Sequence, residues 1–196
     1  MTLNLLALLP PGPTQSLYDY APCARAADEA TFRRDSSSTG RHELLADAVV
    51  VTDGEAGLRP MEVFELMSSG PRVSLVIPCR SSLPYLVLHL KDVGRFCGVE
   101  LEVEDSCGVI RKITTGNKQA SVRVSDENKL LSMPLELVPG WNHVRLNLAD
   151  ICRRGFGAEH ARTWEVTVTA SCRVARIYFE SRPFDDKELP QWLKTL

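Results

Sequence analysis

From Ala48 onward, apolar and polar residues alternate with a period of two, the spacing of half-buried strands rather than of helices. Candidate strands are Ala48–Thr52, Glu62–Met67, Arg72–Ile77, Tyr85–Lys91, Val99–Asp105, Val109–Thr114, Ser121–Ser125, Leu135–Val138, Asn142–Leu146, Thr163–Ala170 and Cys172–Glu180. Turn residues separate them at short intervals, which predicts an all-β, antiparallel two-sheet sandwich rather than alternating strand–helix units. In Val99–Asp105 the valines and Leu101 oppose Glu100, Glu102 and Glu104, so one side is core and the other wet. A hairpin through Ser106-Cys107-Gly108 would bring Arg111 or Lys112 near Glu102. Such a cross-strand charge pair contributes about 0.2–1 kcal/mol and explains the acid row without a ligand. Trp164, Val166, Val168 and Ala170 alternate with Thr163, Glu165, Thr167 and Thr169, which predicts a central strand with Trp164 on the inner face. The last strand loses strict period between Val174 and Ile177, the mark of a bulge or of burial on both faces.

At Asn147 the period changes. Pro139-Gly140 is a turn dipeptide, and Val144 and Leu146 then alternate with His143, Arg145 and Asn147. Asn147 suits a helix N-cap, and Asp150 falls at the third helical position, where a carboxylate meets free amides and the positive dipole end. Leu148, Ile151 and Cys152 share the inward face of a helix over Leu148–Arg154, the clearest of one or two short helices. Arg153 and Arg154 occupy its last turn, and Gly155 or Gly157 can take the left-handed conformation that ends it.

The chain has 196 residues, 44% of them hydrophobic, which suits one domain with a sizeable core. Residues 41–196 form this single domain, and residues 1–40 read as an N-terminal extension and loop. Within the extension, Leu3–Leu9 is apolar and stops at Pro10-Pro11-Gly12-Pro13; it has no basic flank, so it reads as an anchoring segment and not a secretory leader. Ala21–Gly40, with its alanines, charges and serines, reads as looser chain. A formal net charge of −2 argues against nucleic acid as a partner, and no apolar run is long enough for a membrane helix.

Six cysteines occur without a CxxC pair or a close Cys/His pairing, which disfavours a zinc site. Cys97 and Cys107 flank the predicted hairpin at bridging positions, with reduced thiols the default. There is no GxSxG, no HExxH and no glycine-rich phosphate loop. His89 lies in an apolar stretch, where a histidine satisfied by a hydrogen bond is more ordinary than a general base. Asp150 and Glu159 make a weak carboxylate pair, because Asp150 already serves the helix. The expectation is a protein without catalytic residues or cofactors.

Binding chemistry is better represented. Alternation puts Trp141 with His143 and Arg145 on the polar side of its strand. There it stacks on a sugar, anchors a protein interface, or folds over one end of the sandwich. Arg153 and Arg154 offset the negative end of the helix dipole, for which one arginine would suffice. Together with Arg173, Arg176, Lys118 and Arg123 they form a candidate basic surface, provided the fold gathers them on one face.

The strand–helix unit Gly140-Trp141-Asn142, Asn147-Leu148-Ala149-Asp150 and Arg153-Arg154-Gly155-Phe156-Gly157 resembles the Gly-Trp-Asn, Asn-Leu-Ser-Asp and Arg-Arg-Ala-Tyr-Gly block of the cilia- and flagella-associated protein twenty family. Ala170-Ser171-Cys172-Arg173-Val174-Ala175-Arg176-Ile177-Tyr178-Phe179-Glu180-Ser181 is similar to that family's Ala-Asn-Cys-Arg-Ile-Arg-Arg-Val-Tyr-Phe-Ser-Asp, and Glu188-Leu189-Pro190 to its Glu-Leu-Pro. Upstream, Leu83-Pro84-Tyr85-Leu86-Val87 and Ser132-Met133-Pro134 occupy matching places, so the order of motifs holds from about Glu62 to Leu196. Before Glu62 the family's basic, aromatic opening is missing, which marks a divergent member.

The resemblance implies a jelly-roll sandwich like that of carbohydrate-binding modules. It also implies a structural protein at the inner junction of ciliary and flagellar doublet microtubules, supporting motility. The partners implied are α/β-tubulin, a parkin co-regulated protein-type junction protein and other microtubule inner proteins, and the location is the axoneme, extending to the basal body. On this reading the basic residues meet the acidic surface of tubulin. The rival, from fold analogy, is a carbohydrate-binding module using Trp141.

Overall fold

Strands with one apolar and one polar face satisfy both when the apolar faces of two sheets meet. A computed structural model describes residues 20–22, 31–34, 48–53, 61–67, 73–185 and 187–189. Its strands are β1 (Tyr20–Pro22), β2 (Thr31–Arg34), β3 (Ala48–Asp53), β4 (Met61–Leu66), β5 (Val73–Ser81), β6 (Tyr85–Asp92), β7 (Gly98–Asp105), β8 (Ile110–Gly116), β9 (Arg123–Ser125), β10 (Leu130–Pro134), β11 (Gly140–Asn147), β12 (His160–Thr169) and β13 (Cys172–Glu180). The helix α1 (Leu148–Phe156) links β11 to β12. The six-stranded sheet runs β11-β6-β13-β4-β3, with β1 also on β13; the seven-stranded sheet runs β2-β5-β12-β7-β8-β10-β9. The all-β sandwich read from alternation is thus the observed fold.

Between the sheets lie Leu86, Leu88 and Leu90 of β6 and Ile177 and Phe179 of β13, facing Leu75 and Ile77 of β5, Leu101 and Val103 of β7 and Val166 and Val168 of β12. Burying each such side chain contributes about 1.5–3 kcal/mol. Leu148, Cys152 and Phe156 add the inward face of α1 to the same core. Gly155 and Gly157 divide two tasks. Gly157 takes the left-handed conformation (φ 72°) and donates its N–H to Arg153 O at 3.1 Å, whereas Gly155 stays helical, where a Cβ would stand 2.7 Å from Leu131 Cδ2.

Several expectations are corrected. Leu135–Val138 is not a strand. The chain instead reverses at Asp126, Glu127 and Asn128, all with positive φ, and returns as β10, paired parallel to β8. The apolar alternation runs on unbroken through Leu131, Met133 and Leu135, and the Leu135 N–H still reaches Gly116 O at 3.0 Å, one residue past the end of β10. Trp164 does not face inward. Register shifts between Thr163 and Glu165 against both neighbouring strands, so Thr163 is buried and Trp164 stands on the outer face beside Glu104. The interrupted period of β13 is a bulge between Val174 and Arg176; β4 pairs before it and β1 after it.

Two parts of the stretch read as extension and loop, Tyr20–Pro22 and Thr31–Arg34, are strands of the two sheets. Leu3–Leu9 lies outside the described residues. Cys97 and Cys107 stand at opposite ends of β7, and both are free thiols.

Candidate protein interface

Three separate places receive the candidate residues. On α1, Asn147 Oδ1 accepts the Asp150 N–H at 3.0 Å, the predicted cap. Arg153 and Arg154 are displayed, with side chains 64% and 80% exposed, yet both reach the same carboxylate: Asp150 lies 2.6 Å from Arg153 and 3.4 Å from Arg154. The Arg153 hydrogen bond first, and the Arg154 bond after it, hold the Asp150 carboxyl below its usual range against the effect of burial.

On the outer face of the six-stranded sheet, register aligns Trp141 with Lys91, His143 with His89, and Arg173 with both Lys91 and Glu65. Asp53 is the hub. Its carboxylate takes Lys91 at 3.1 Å and Arg173 at 2.6 Å, while Arg173 also reaches Glu65 at 2.5 Å. Burial alone would raise Asp53, but the hydrogen bonds from Arg173 and Lys91 outweigh it and hold the carboxyl below its usual range. Trp141 is half-buried here, its ring centroid 4.7 Å from that of His89 and 5.8 Å from Lys91 Nζ. Among the described residues His89 makes this ring contact and no side-chain hydrogen bond of the kind expected of it. Burial, then the charges of His143 and Arg176, push His89 down to about 4, so it is neutral at physiological pH. Arg176 is half-buried, donating to Ala175 O at 2.8 Å.

Arg145 and the chain after β13 close the rest of this face. Arg145 binds the fully buried Glu180 at 3.0 Å and Phe184 O at 2.9 Å, and Leu189 packs on Val87 and Tyr178. The third place is the other sheet: Lys118 is exposed in the turn after β8, and Arg123 lies on the edge strand β9. The fold therefore joins Trp141, Arg173 and Arg176 but leaves Arg153 and Arg154 on the helix and Lys118 and Arg123 on the second sheet.

Register sets Lys112 opposite Glu102, as expected, although its ion pair goes to the neighbouring Glu100. Lys112 binds Glu100 at 2.7 Å, Glu104 accepts the Trp164 indole N–H at 2.9 Å, and Arg111 goes to Asp105. Sequence reasoning missed the group that Trp164 makes with Arg80 and Arg162, whose guanidinium carbons lie 5.7 and 5.1 Å from its ring centroid. No glycine or proline within β12 marks the bulge that exposes it, although Pro78 of β5 stands opposite Glu165 at the shift. Among the described residues, no three His, Cys, Asp or Glu side chains cluster as metal ligands.

Comparison with known proteins adds a family and relatives. The CFA20 domain matches residues 66–196. Over 112 residues the chain is 38% identical to Cilia- and flagella-associated protein 20 of Chlamydomonas reinhardtii and 36% identical to that of Paramecium tetraurelia, covering 57% of this chain and 58% of each relative. Identity to the Caenorhabditis elegans protein of that name is 30%, over 54% of its length. The match thus spans somewhat over half the length of these curated relatives. A solved exo-beta-agarase aligns with 88% of this chain and 26% of its own at 11% identity, but its TM-score of 0.37 carries no weight.

Proposed function

The chain belongs to the CFA20 domain family, and on that premise we propose that it is a non-catalytic structural protein of the cilium and flagellum. Its place is the inner junction of doublet microtubules, where it binds tubulin and a parkin co-regulated protein-type neighbour and braces the A- and B-tubules. The observation that carries this reading is the continuous family match from the end of β4 to the C-terminus, with curated relatives named for cilia and flagella. A protein repeating along a doublet needs contacts on more than one side, and the separation of the Trp141 face from the Arg153–Arg154 helix supplies distinct surfaces for them.

The test is localisation of the tagged full chain in a ciliated cell, followed by detergent and salt extraction of axonemes. Retention on the axoneme is the expected result. A protein found only in the soluble cytosol or the medium overturns the ciliary reading, and glycan binding without microtubule co-sedimentation would replace it with the carbohydrate-binding one.

A further inference from the structure

The bulge in β12 gives the seven-stranded sheet an outward tryptophan that strict alternation would have buried. Thr163 pairs with Val103 and Glu165 with Glu102, so Trp164 is the extra residue, and both it and Glu165 point away from the core. Bulges re-aim side chains in this way at functional surfaces. The ring is also positioned: its N–H is held by Glu104 at 2.9 Å, with the guanidinium carbons of Arg80 and Arg162 at 5.7 and 5.1 Å from its centroid. Arg80 and Arg162 are exposed, and among the described residues neither has a carboxylate partner. Arg111, Arg145, Arg153, Arg154, Arg173 and Arg182 all do. Glu104, which stands opposite Arg162 in the register, is engaged by the indole N–H, so a half-buried indole lies between two exposed guanidiniums that form no ion pair among the described residues; this is the residue chemistry enriched at interface hot spots, and the guanidiniums are complementary to carboxylates.

We propose that Trp164, Arg80 and Arg162 form a docking site for an acidic segment of a partner protein. The carboxylates would pair with the two guanidiniums while the intervening chain packs on the indole. Glu102, Glu104 and Glu165 share this face and repel a dense polyanion, whereas an extended polypeptide spaces its same-side carboxylates about 6.8 Å apart and can turn neutral groups toward the glutamates. The inference goes beyond the ciliary reading, and its test needs no cilium.

Fluorescence anisotropy of a labelled peptide alternating Glu with Ser, titrated with the full chain, supplies that test. Binding that weakens with added salt is expected. Arg80→Glu with Arg162→Glu should lower affinity by about tenfold or more, and Trp164→Phe by less, since an aromatic ring remains. Arg95→Glu, exposed in the turn before β7 and so at the far end of that strand from Glu104, should leave it unchanged. Should charge reversal unfold the chain, Arg80→Gln with Arg162→Gln reads the same contribution. Absence of binding by the wild-type chain, equal binding by a folded Arg80/Arg162 variant, or equally strong competition by inorganic polyphosphate or RNA would each overturn an acidic-polypeptide site.

Discussion

Replacing Asp105 by Asn removes one charge from the deepest ion pair on the β7–β8 hairpin, and the cost follows from its contacts. The carboxylate is completely buried; Oδ1 accepts the Cys107 and Val109 amides, each at 2.9 Å, and Oδ2 takes Arg111 Nε at 2.8 Å and its terminal nitrogen at 2.6 Å. Asparagine keeps an oxygen for the amides but turns an N–H donor toward the guanidinium. Arg111, only 12% exposed, would keep its bond to Asn128 O and its place over the Phe156 ring at 5.0 Å, but not its counter-charge.

Breaking a buried pair from one side costs about 3–5 kcal/mol, and the surviving contacts favour about 3. For a chain of this size that lowers the melting temperature by roughly 6–12 °C. Burial would raise the Asp105 carboxyl, but the Val109 amide, Arg111 and the Cys107 amide outweigh it and hold it low. A depressed folded value means the stabilisation is present above the unfolded value, near 3.9, and is lost as pH falls through the folded one. Urea unfolding of both chains should therefore show the full difference at about pH 7 and a shrinking one below about pH 4. A difference below about 1 kcal/mol at neutral pH, or one that persists undiminished in acid, would refute the assignment.

Asn147→Ala should cost about 1 kcal/mol through the lost cap, read as a lower urea midpoint at unchanged slope. Glu180 behaves oppositely to Asp105: burial raises its carboxyl despite Arg145, so its contribution is greatest below the unfolded value, near 4.3, and falls as pH rises through the folded one. The stability of Glu180→Gln relative to wild type should accordingly rise with pH across that window in the same assay. Arg153→Glu with Arg154→Glu should weaken microtubule co-sedimentation far more than it lowers the melting temperature, and unaltered sedimentation across a salt titration would remove the helix from the interface.

Strand positions were legible where a period of two ran uninterrupted, as in β7, and the α1 boundary was legible because an N-cap and a left-handed glycine are local chemistry. What misled the reading was extra residues in the ladder. The β12 bulge reverses the face of Trp164 without any turn residue of its own to announce it, because the shift is set by register against β5, where Pro78 faces Glu165, and β7, which lie far away in sequence. The misplaced strand at Leu135 has a related origin: three left-handed residues, none of them glycine, build the reversal that admits a parallel β10.

Charge count misleads for the same reason. Arg173 belongs to a local set in which Asp53 and Glu65 balance it and Lys91, so little positive potential survives there. Asp150 divides one carboxylate between Arg153 and Arg154, leaving a single net positive charge at the end of α1. Exposed pairs of that kind are worth little to stability, so their partners remain available to exchange Asp150 for a carboxylate on another protein. Arg173 would have to leave two carboxylates to do the same. The helix arginines are therefore better placed than Arg173 to meet an acidic surface, although Arg173 lies on the same sheet face as Trp141.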